Sequence, residues 1–125
     1  MVKKLTLKGV PAAVGTYSHA TEFNNVVYFS GQIGLDPESM ELRETLDAQI
    51  AQTLSNIDAI LKEVGLTKSN IIKTTVFLKD MNDFSHLNEH YKTFFDGDYP
   101  ARSCVEVSRL PKDALVEIEV IASKS

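Results

Sequence analysis

Residue types that could act together on a small acid stand near the C-terminal end of the sequence. The segment RSCVEVS carries Arg102 and Cys104, and the segment ALVEIEVIA carries Glu117 and Glu119. A planar guanidinium is the best single receptor for a carboxylate, because it can donate two parallel hydrogen bonds. A glutamate within hydrogen-bond reach can orient a water molecule and move protons. These groups could therefore bind a small carboxylic acid and hydrolyse a bond in it.

Each of these side chains also has a plain structural interpretation, which the residues alone leave open. An arginine such as Arg102 or Arg43 is commonly part of a surface ion pair, and either glutamate can be solvated or paired with a lysine. A single cysteine with no histidine placed as its base is more often a small buried side chain than a nucleophile. Cys104 is therefore not expected to attack a substrate.

Composition limits the class of protein. The 125 residues are 43% hydrophobic and 24% charged, which predicts a single globular domain over residues 1–125. No apolar run is long enough for a membrane span or a signal peptide, and the single cysteine cannot form an internal disulfide, so we expect a cytoplasmic protein. The net charge is −4 and the 13 lysines and arginines are scattered, which argues against nucleic acid as a partner.

Hydrophobic periodicity predicts the order strands, helix, strand, helix, strands. The strands are expected in LTLKG, VVYF, NIIKTTVFLKD, RSCVEVS and ALVEIEVIA. Apolar residues at steps of three and four predict one helix from about Thr45 to Gly65. A second helix is expected in NDFSHLNEHYKTFF, with Asn82 as its N-cap and Asp96-Gly97 as its end.

The alternation within the last two strands predicts one apolar and one polar sheet face. The valines and isoleucine of VEIEV should face the helices, and its two glutamates the other side. In RSCVEVS the valines are assigned to the helix side, which places Arg102 and Cys104 on the polar face with Glu117. That face can be solvated or covered by another copy of the chain, and its mixture of apolar and charged positions favours the second alternative.

The segment PARSCVEVSRLPKDALVEIEVIA resembles the C-terminal pattern of the reactive intermediate deaminase family, Rid, also called YjgF, and most closely its RidA subgroup. The similarity continues through GTYSHA, VVYFSGQIGLDP, IIKTTVFLKDMNDF and LNEHYKTFF. The resemblance implies an α+β, chorismate-mutase-like fold of the YjgF type, a mixed sheet with two helices packed on one face. It also implies a homotrimer whose sheets form a central barrel, with active sites in clefts between subunits.

The implied reaction is hydrolysis of 2-iminobutanoate or 2-iminopropanoate to a 2-oxo acid and ammonia, without metal or organic cofactor. By family position, Arg102 would bind the substrate carboxylate and Glu117 would direct the water, with Glu119 as an alternative to Glu117. The other substrate-binding positions that the resemblance implies are Tyr17, Ser30, Gly31, Asn88 and Cys104. The family usually has proline before the tyrosine, where this chain has Thr16, so the backbone restraint that a proline gives is missing.

Other functions remain open at this point. A protein that binds 2-oxo acids without turning them over would keep the cleft, and RNA cleavage or holding of unfolded proteins is attributed to some relatives. His86 to His90 also fit H-x-x-E-H, the inverted zinc-peptidase pattern. We interpret them as helix-surface histidines and expect no metal, because the motif offers no third ligand.

Overall fold

The computed structural model describes residues 1–125. Six strands and two α-helices form an α+β fold, as predicted. Their bounds are β1 (Lys3–Leu5), β2 (Ala20–Phe23), β3 (Val26–Phe29), α1 (Leu46–Glu63), β4 (Ile71–Leu78), α2 (Phe84–Phe95), β5 (Ala101–Glu106) and β6 (Val116–Ser123). Single 3-10 turns precede β4, α2 and β6. Neither helix is both long and apolar enough to span a membrane.

All six strands belong to one mixed sheet in the order β1-β2-β3-β6-β4-β5. Every pairing is antiparallel except that of β4 with β5, which is parallel. Parallel neighbours need a crossover connection, and α2 supplies it. The predicted mixed sheet is therefore confirmed, with β6 in its interior and β5 at one edge.

Both helices pack on one face of the sheet, as predicted. Ile50, Ile57 and Leu61 of α1 are 0–1% exposed, and the positions that they occupy follow the three-and-four spacing. The sheet side of this core includes Val116, Ile118 and Val120, equally buried. Burying a side chain of this size typically stabilises a fold by roughly 1.5–3 kcal/mol, so the core fixes which face of β6 the helices cover.

The ends of α1 follow the sequence signals. The Thr45 hydroxyl accepts a hydrogen bond from the Ala48 amide (3.1 Å), which caps the N-terminus. At the other end Gly65 has φ +75°, and the Leu66 amide donates to the Leu61 carbonyl at 2.9 Å. This is the glycine-dependent Schellman termination.

Two local predictions were wrong. Asn82 does not cap α2: it lies in a 3-10 turn (Met81–Asp83) whose cap is Asp80, and the α-helix begins only at Phe84. The strand β2 was not predicted, because its four residues are too few to show a clear alternation. It pairs with β3 through Asn24-Asn25, both with positive φ, the backbone that a two-residue hairpin turn prefers.

The face assigned to β5 was also wrong. Cys104 is in register with the buried Val76, so Arg102 and Cys104 lie on the helix side of the sheet. Val105 is in register with Phe77 on the open face and is 44% exposed. The physical reason is that β5 is an edge strand, only partly covered on both faces, so its valines do not identify the core side.

A buried hydrogen bond between β4 and α2 gives a testable prediction. The hydroxyls of Thr74 and Tyr91 lie 2.8 Å apart, and both residues are buried. We expect Tyr91→Phe to lower the free energy of unfolding by about 1–3 kcal/mol, because the Thr74 hydroxyl loses its partner inside the core. Urea titration at one protein concentration measures this loss.

The double variant provides the control. Thr74→Val combined with Tyr91→Phe removes both polar groups, so it should lose less stability than the sum of the two single changes. Strict additivity would mean that the two hydroxyls do not depend on each other.

Candidate active site

The predicted site residues fall into two groups on opposite faces of the sheet. Tyr17, Ser30, Gly31 and Glu117 line one cavity on the open side. Asn88 and Arg102 line a separate cleft beside α2, and Cys104 lies next to Arg102 on β5. We call the first group the acid half-site and the second the arginine half-site. The single chain does not bring Arg102 and Glu117 together.

The acid half-site is a cavity of about 300 Å³. Glu117 projects into it from β6, and the segments 11–14, 30–35 and 111–112 form its walls. Burial, and next the negative charge of Glu119, raise the pKa of Glu117 above its usual value. A raised pKa makes the carboxylate a stronger proton acceptor and keeps the acid form available to higher pH, which suits acid–base catalysis.

Gly31 gives the Glu117 carboxylate its space. A Cβ atom at position 31 would overlap Glu117 Oε2 and lie 2.9 Å from Cδ. The next residue, Gln32, exchanges two backbone hydrogen bonds with Ile118 (2.9 and 3.0 Å). These bonds hold Gly31 beside Glu117, so a side chain at position 31 would force the Glu117 carboxylate to move.

The N-terminal wall of the acid half-site is held by His19, which is buried. Its Nδ1 accepts from the Leu7 amide (2.9 Å), so the ring hydrogen is on Nε2, which donates to the Pro11 carbonyl (2.9 Å). Ser30 also has a local role, since its hydroxyl donates to the Ser18 carbonyl (2.7 Å). Tyr17 is 53% exposed at the cavity mouth.

The arginine half-site holds Arg102 without using an acid. Its Nη1 donates to the Asn88 side-chain carbonyl (2.8 Å), and its Cζ lies 4.8 Å from the Tyr91 ring centre and 5.2 Å from that of Phe84. The other arginines, Arg43 and Arg109, both pair with aspartates, whereas Arg102 forms no ion pair. Its remaining donors can therefore receive an anionic group.

Cys104 has the environment of an inert thiol. Its side chain packs against the hydrophobic core. Burial raises the pKa of this thiol, although the charge of Arg102 opposes the effect. A thiol with a raised pKa is a poor nucleophile at neutral pH. Cys104 therefore fits the expectation that it does not attack a substrate.

The histidines of the H-x-x-E-H pattern contact a different element. His90 Nε2 lies 2.9 Å and His86 Nδ1 3.5 Å from Asp47 Oδ1, in the first turn of α1. The hydrogen bond from His90 lowers the pKa of Asp47. No group of three or more His, Cys, Asp or Glu side chains is arranged to hold a metal ion. The pattern thus connects α2 to α1.

Sequence reasoning missed the aromatic support of Arg102. Phe84, Asn88 and Tyr91 lie one helical turn apart in α2, and all three contact the guanidinium. Phe84 and Tyr91 belong to an apolar stripe at helical spacing, a pattern that by itself predicts only core packing. Asn88, one turn from each of them, was the available signal that this stripe also borders a polar site.

The chain is similar to known proteins over nearly its whole length. The Endoribonuclease L-PSP family profile matches residues 8–124. A Salmonella typhimurium protein named 2-iminobutanoate/2-iminopropanoate deaminase is 46% identical over 125 residues, covering 98% of each chain. The crystal structure of YyfA, a Rid family protein from Yersinia pestis, matches with a TM-score of 0.95 and 47% identity, covering 98% of this chain and 99% of that one.

Another solved structure is E. coli TdcF with bound serine, at a TM-score of 0.91 and 42% identity, covering 98% of this chain and all of that one. The resemblance seen in the sequence motifs is thus confirmed over nearly the whole length, and the YjgF-type fold with it. The chain belongs to the Endoribonuclease L-PSP family and, within it, is a relative of the Rid and YjgF proteins.

Proposed function

We propose that this protein hydrolyses reactive 2-imino acids, such as 2-iminobutanoate and 2-iminopropanoate, to 2-oxo acids and ammonia. The observation that carries the proposal is the guanidinium of Arg102, which is held in place yet has no acidic partner. Such a group suits the carboxylate that every 2-imino acid carries. The full-length similarity to proteins named as deaminases of these compounds, and a relative whose structure contains serine, support the same substrate class.

The active site, in this proposal, forms between neighbouring copies of the chain. Side chains on opposite faces of a sheet point away from each other, so a three- or four-carbon acid cannot contact Arg102 and Glu117 of one chain. A ring of copies would bring the arginine half-site of one chain to the acid half-site of the next. The open sheet face exposes Tyr28 (47%) and Val105 (44%), as expected of a surface that another copy covers. We propose the homotrimer that the family resemblance implies.

The chemistry needs few groups. Arg102 would bind the substrate carboxylate through the donors that Asn88 leaves free, and so position the imine carbon near Glu117 of the neighbouring copy. As a water oxygen bonds to the carbon of the protonated imine, the Glu117 carboxylate takes one water proton, and a neutral carbinolamine forms. The protonated Glu117 then donates to the nitrogen, which leaves as ammonia. The hydroxyl proton returns to Glu117 as the C=O bond forms, and the released ammonia takes it as ammonium, which restores the carboxylate.

Subunit complementation tests both the chemistry and the shared site. Arg102→Lys keeps the charge but loses the two-pronged geometry, and Glu117→Gln cannot move a proton, so each variant alone should be inactive. Mixed trimers of the two should regain about one third of wild-type activity, because one of the three sites in each mixed trimer combines both intact residues. The assay generates 2-iminobutanoate with a threonine dehydratase and measures semicarbazone formation, which an active protein suppresses.

Co-expression with two different affinity tags isolates the mixed oligomers and proves that they formed. If they stay inactive, the two half-sites do not share a substrate. If Arg102→Lys alone is as active as wild type, the proposed carboxylate receptor is wrong.

The pH dependence of activity distinguishes Glu117 from Glu119. Because the charge of Glu119 contributes to the raised pKa of Glu117, Glu119→Gln should lower that pKa. Glu117 must be ionised to accept the water proton, so the acidic limb of kcat/KM should move to lower pH. Glu44→Gln, which removes an exposed charge elsewhere, is the matched control and should leave the limb unchanged. Complete loss of activity in Glu119→Gln would instead identify Glu119 as the acid–base group.

Gly31→Ala tests the close contact with Glu117. The added methyl group would displace the carboxylate, so we expect kcat/KM for 2-iminobutanoate to fall at least about ten-fold in a protein that still folds. Gly9→Ala is the comparison: its Cβ meets no atom within 4 Å, but φ is +69°. It should lose about 1–2 kcal/mol of stability and keep its activity. Equal activities of the two variants would show that Gly31 does not set the position of Glu117.

A further inference from the structure

Gln49 in α1 lines neither half-site, yet its side chain forms hydrogen bonds with two backbone segments that connect to the acid half-site. It is 3% exposed. Its Nε2 donates to the Arg43 carbonyl (3.0 Å), and its Oε1 accepts from the Leu115 amide (2.8 Å). The carboxamide therefore uses a donor and an acceptor at once, in a place where water does not replace either bond.

Each of the two bonds is linked to a different segment of the acid half-site. Leu115 lies two residues before Glu117, at the entry to β6. Arg43 in turn donates its amide to the Gly34 carbonyl (3.0 Å), which ties it to the segment that carries Gly31. Gly34 itself packs on Gln49, since a Cβ atom there would lie 2.7 Å from the Gln49 Cα. Gln49 thus stands between the segments that bring Gly31 and Glu117 together.

A second buried amide on the same helix contacts only one of these two segments. Asn56 is 2% exposed, and its Nδ2 donates to the carbonyls of Ile33 (3.2 Å) and Leu35 (2.9 Å). Its Oδ1 accepts from Gln52 (2.8 Å), and no hydrogen bond joins it to the segment before Glu117. Asn56 therefore stabilises the 33–35 loop without fixing its separation from β6, which makes it a matched control.

We infer that Gln49 is a positioning residue for Glu117, which fixes how far residues 31–35 lie from residues 115–117 and so how deeply the Glu117 carboxylate sits against Gly31. Breaking the bond to Leu115 would leave a buried amide without a partner, and the start of β6 would shift to find one. A carboxylate that moves toward the cavity mouth becomes better solvated, and its pKa falls toward the usual value. The activity readout rests on the proposed function, whereas the structural readout does not.

The test compares Gln49→Met with Asn56→Leu, two changes that replace a buried amide by an apolar side chain. For Gln49→Met we expect kcat for 2-iminobutanoate to fall at least about ten-fold while KM changes less than about three-fold, since Arg102 is untouched. The acidic limb of kcat should also move to lower pH. Asn56→Leu should lose stability, but the acidic limb of its kcat profile should stay at the wild-type pH. The inference would be overturned if the acidic limb of kcat did not move in Gln49→Met, or if it moved equally in Asn56→Leu.

Gln49→Glu provides a second variant in case Gln49→Met does not fold. A protonated glutamic acid can again donate to the Arg43 carbonyl and accept from Leu115, whereas the ionised form cannot donate. Its kcat relative to wild type should therefore recover as the pH falls. A ratio independent of pH would contradict a positioning role for the amide.

A direct titration separates this inference from the proposed function. The pKa of Glu117, followed by 13C NMR of its side-chain carboxyl, should fall in Gln49→Met and not in Asn56→Leu. This holds even if wild type fails to suppress semicarbazone formation, in which case the deaminase proposal alone is wrong. An unchanged pKa in both variants would refute the positioning role.

Discussion

The pairing of β6 with a strand on each side is the constraint on which the rest of the structure depends. Because side chains alternate along a strand, the same register that buries Val116, Ile118 and Val120 under the helices sends Glu117 to the opposite face. The core therefore determines the position of the acid. Any shift of β6 by one residue would expose the core and bury the glutamates, so the folding free energy itself maintains the acid half-site.

The sequence could predict those parts of the fold in which one strong hydrophobic pattern determines the secondary structure and its buried face. The spacing of α1 and the alternation of β6 each follow from burial on one side, and both predictions were confirmed. The edge strand β5 has no fully buried side chain, so its valines could not identify its face, and Arg102 was placed with Glu117 in error. The two half-sites, and the support of Arg102 by α2, depend on contacts between distant segments that no local pattern encodes.

Arg102 and Glu117 lie in different electrostatic environments. Asn88 and two aromatic rings orient Arg102 while leaving its charge uncompensated, so a bound carboxylate would be its first ionic partner. Glu117 is held where burial disfavours its charge. The burial of Glu117 makes its charge costly, and a substrate that carries both a carboxylate and a protonated imine would give each of the two groups an ionic partner.

The placement of these charges on opposite faces of one sheet has an evolutionary consequence. Under the proposed arrangement a single chain contains no complete catalytic centre, even when it is fully folded. Natural selection on turnover would then act directly on the subunit contacts, and a lineage could not drift to a monomer and keep its chemistry. Surface residues such as Tyr28 and Val105, which never meet the substrate, would be retained as strictly as the catalytic pair.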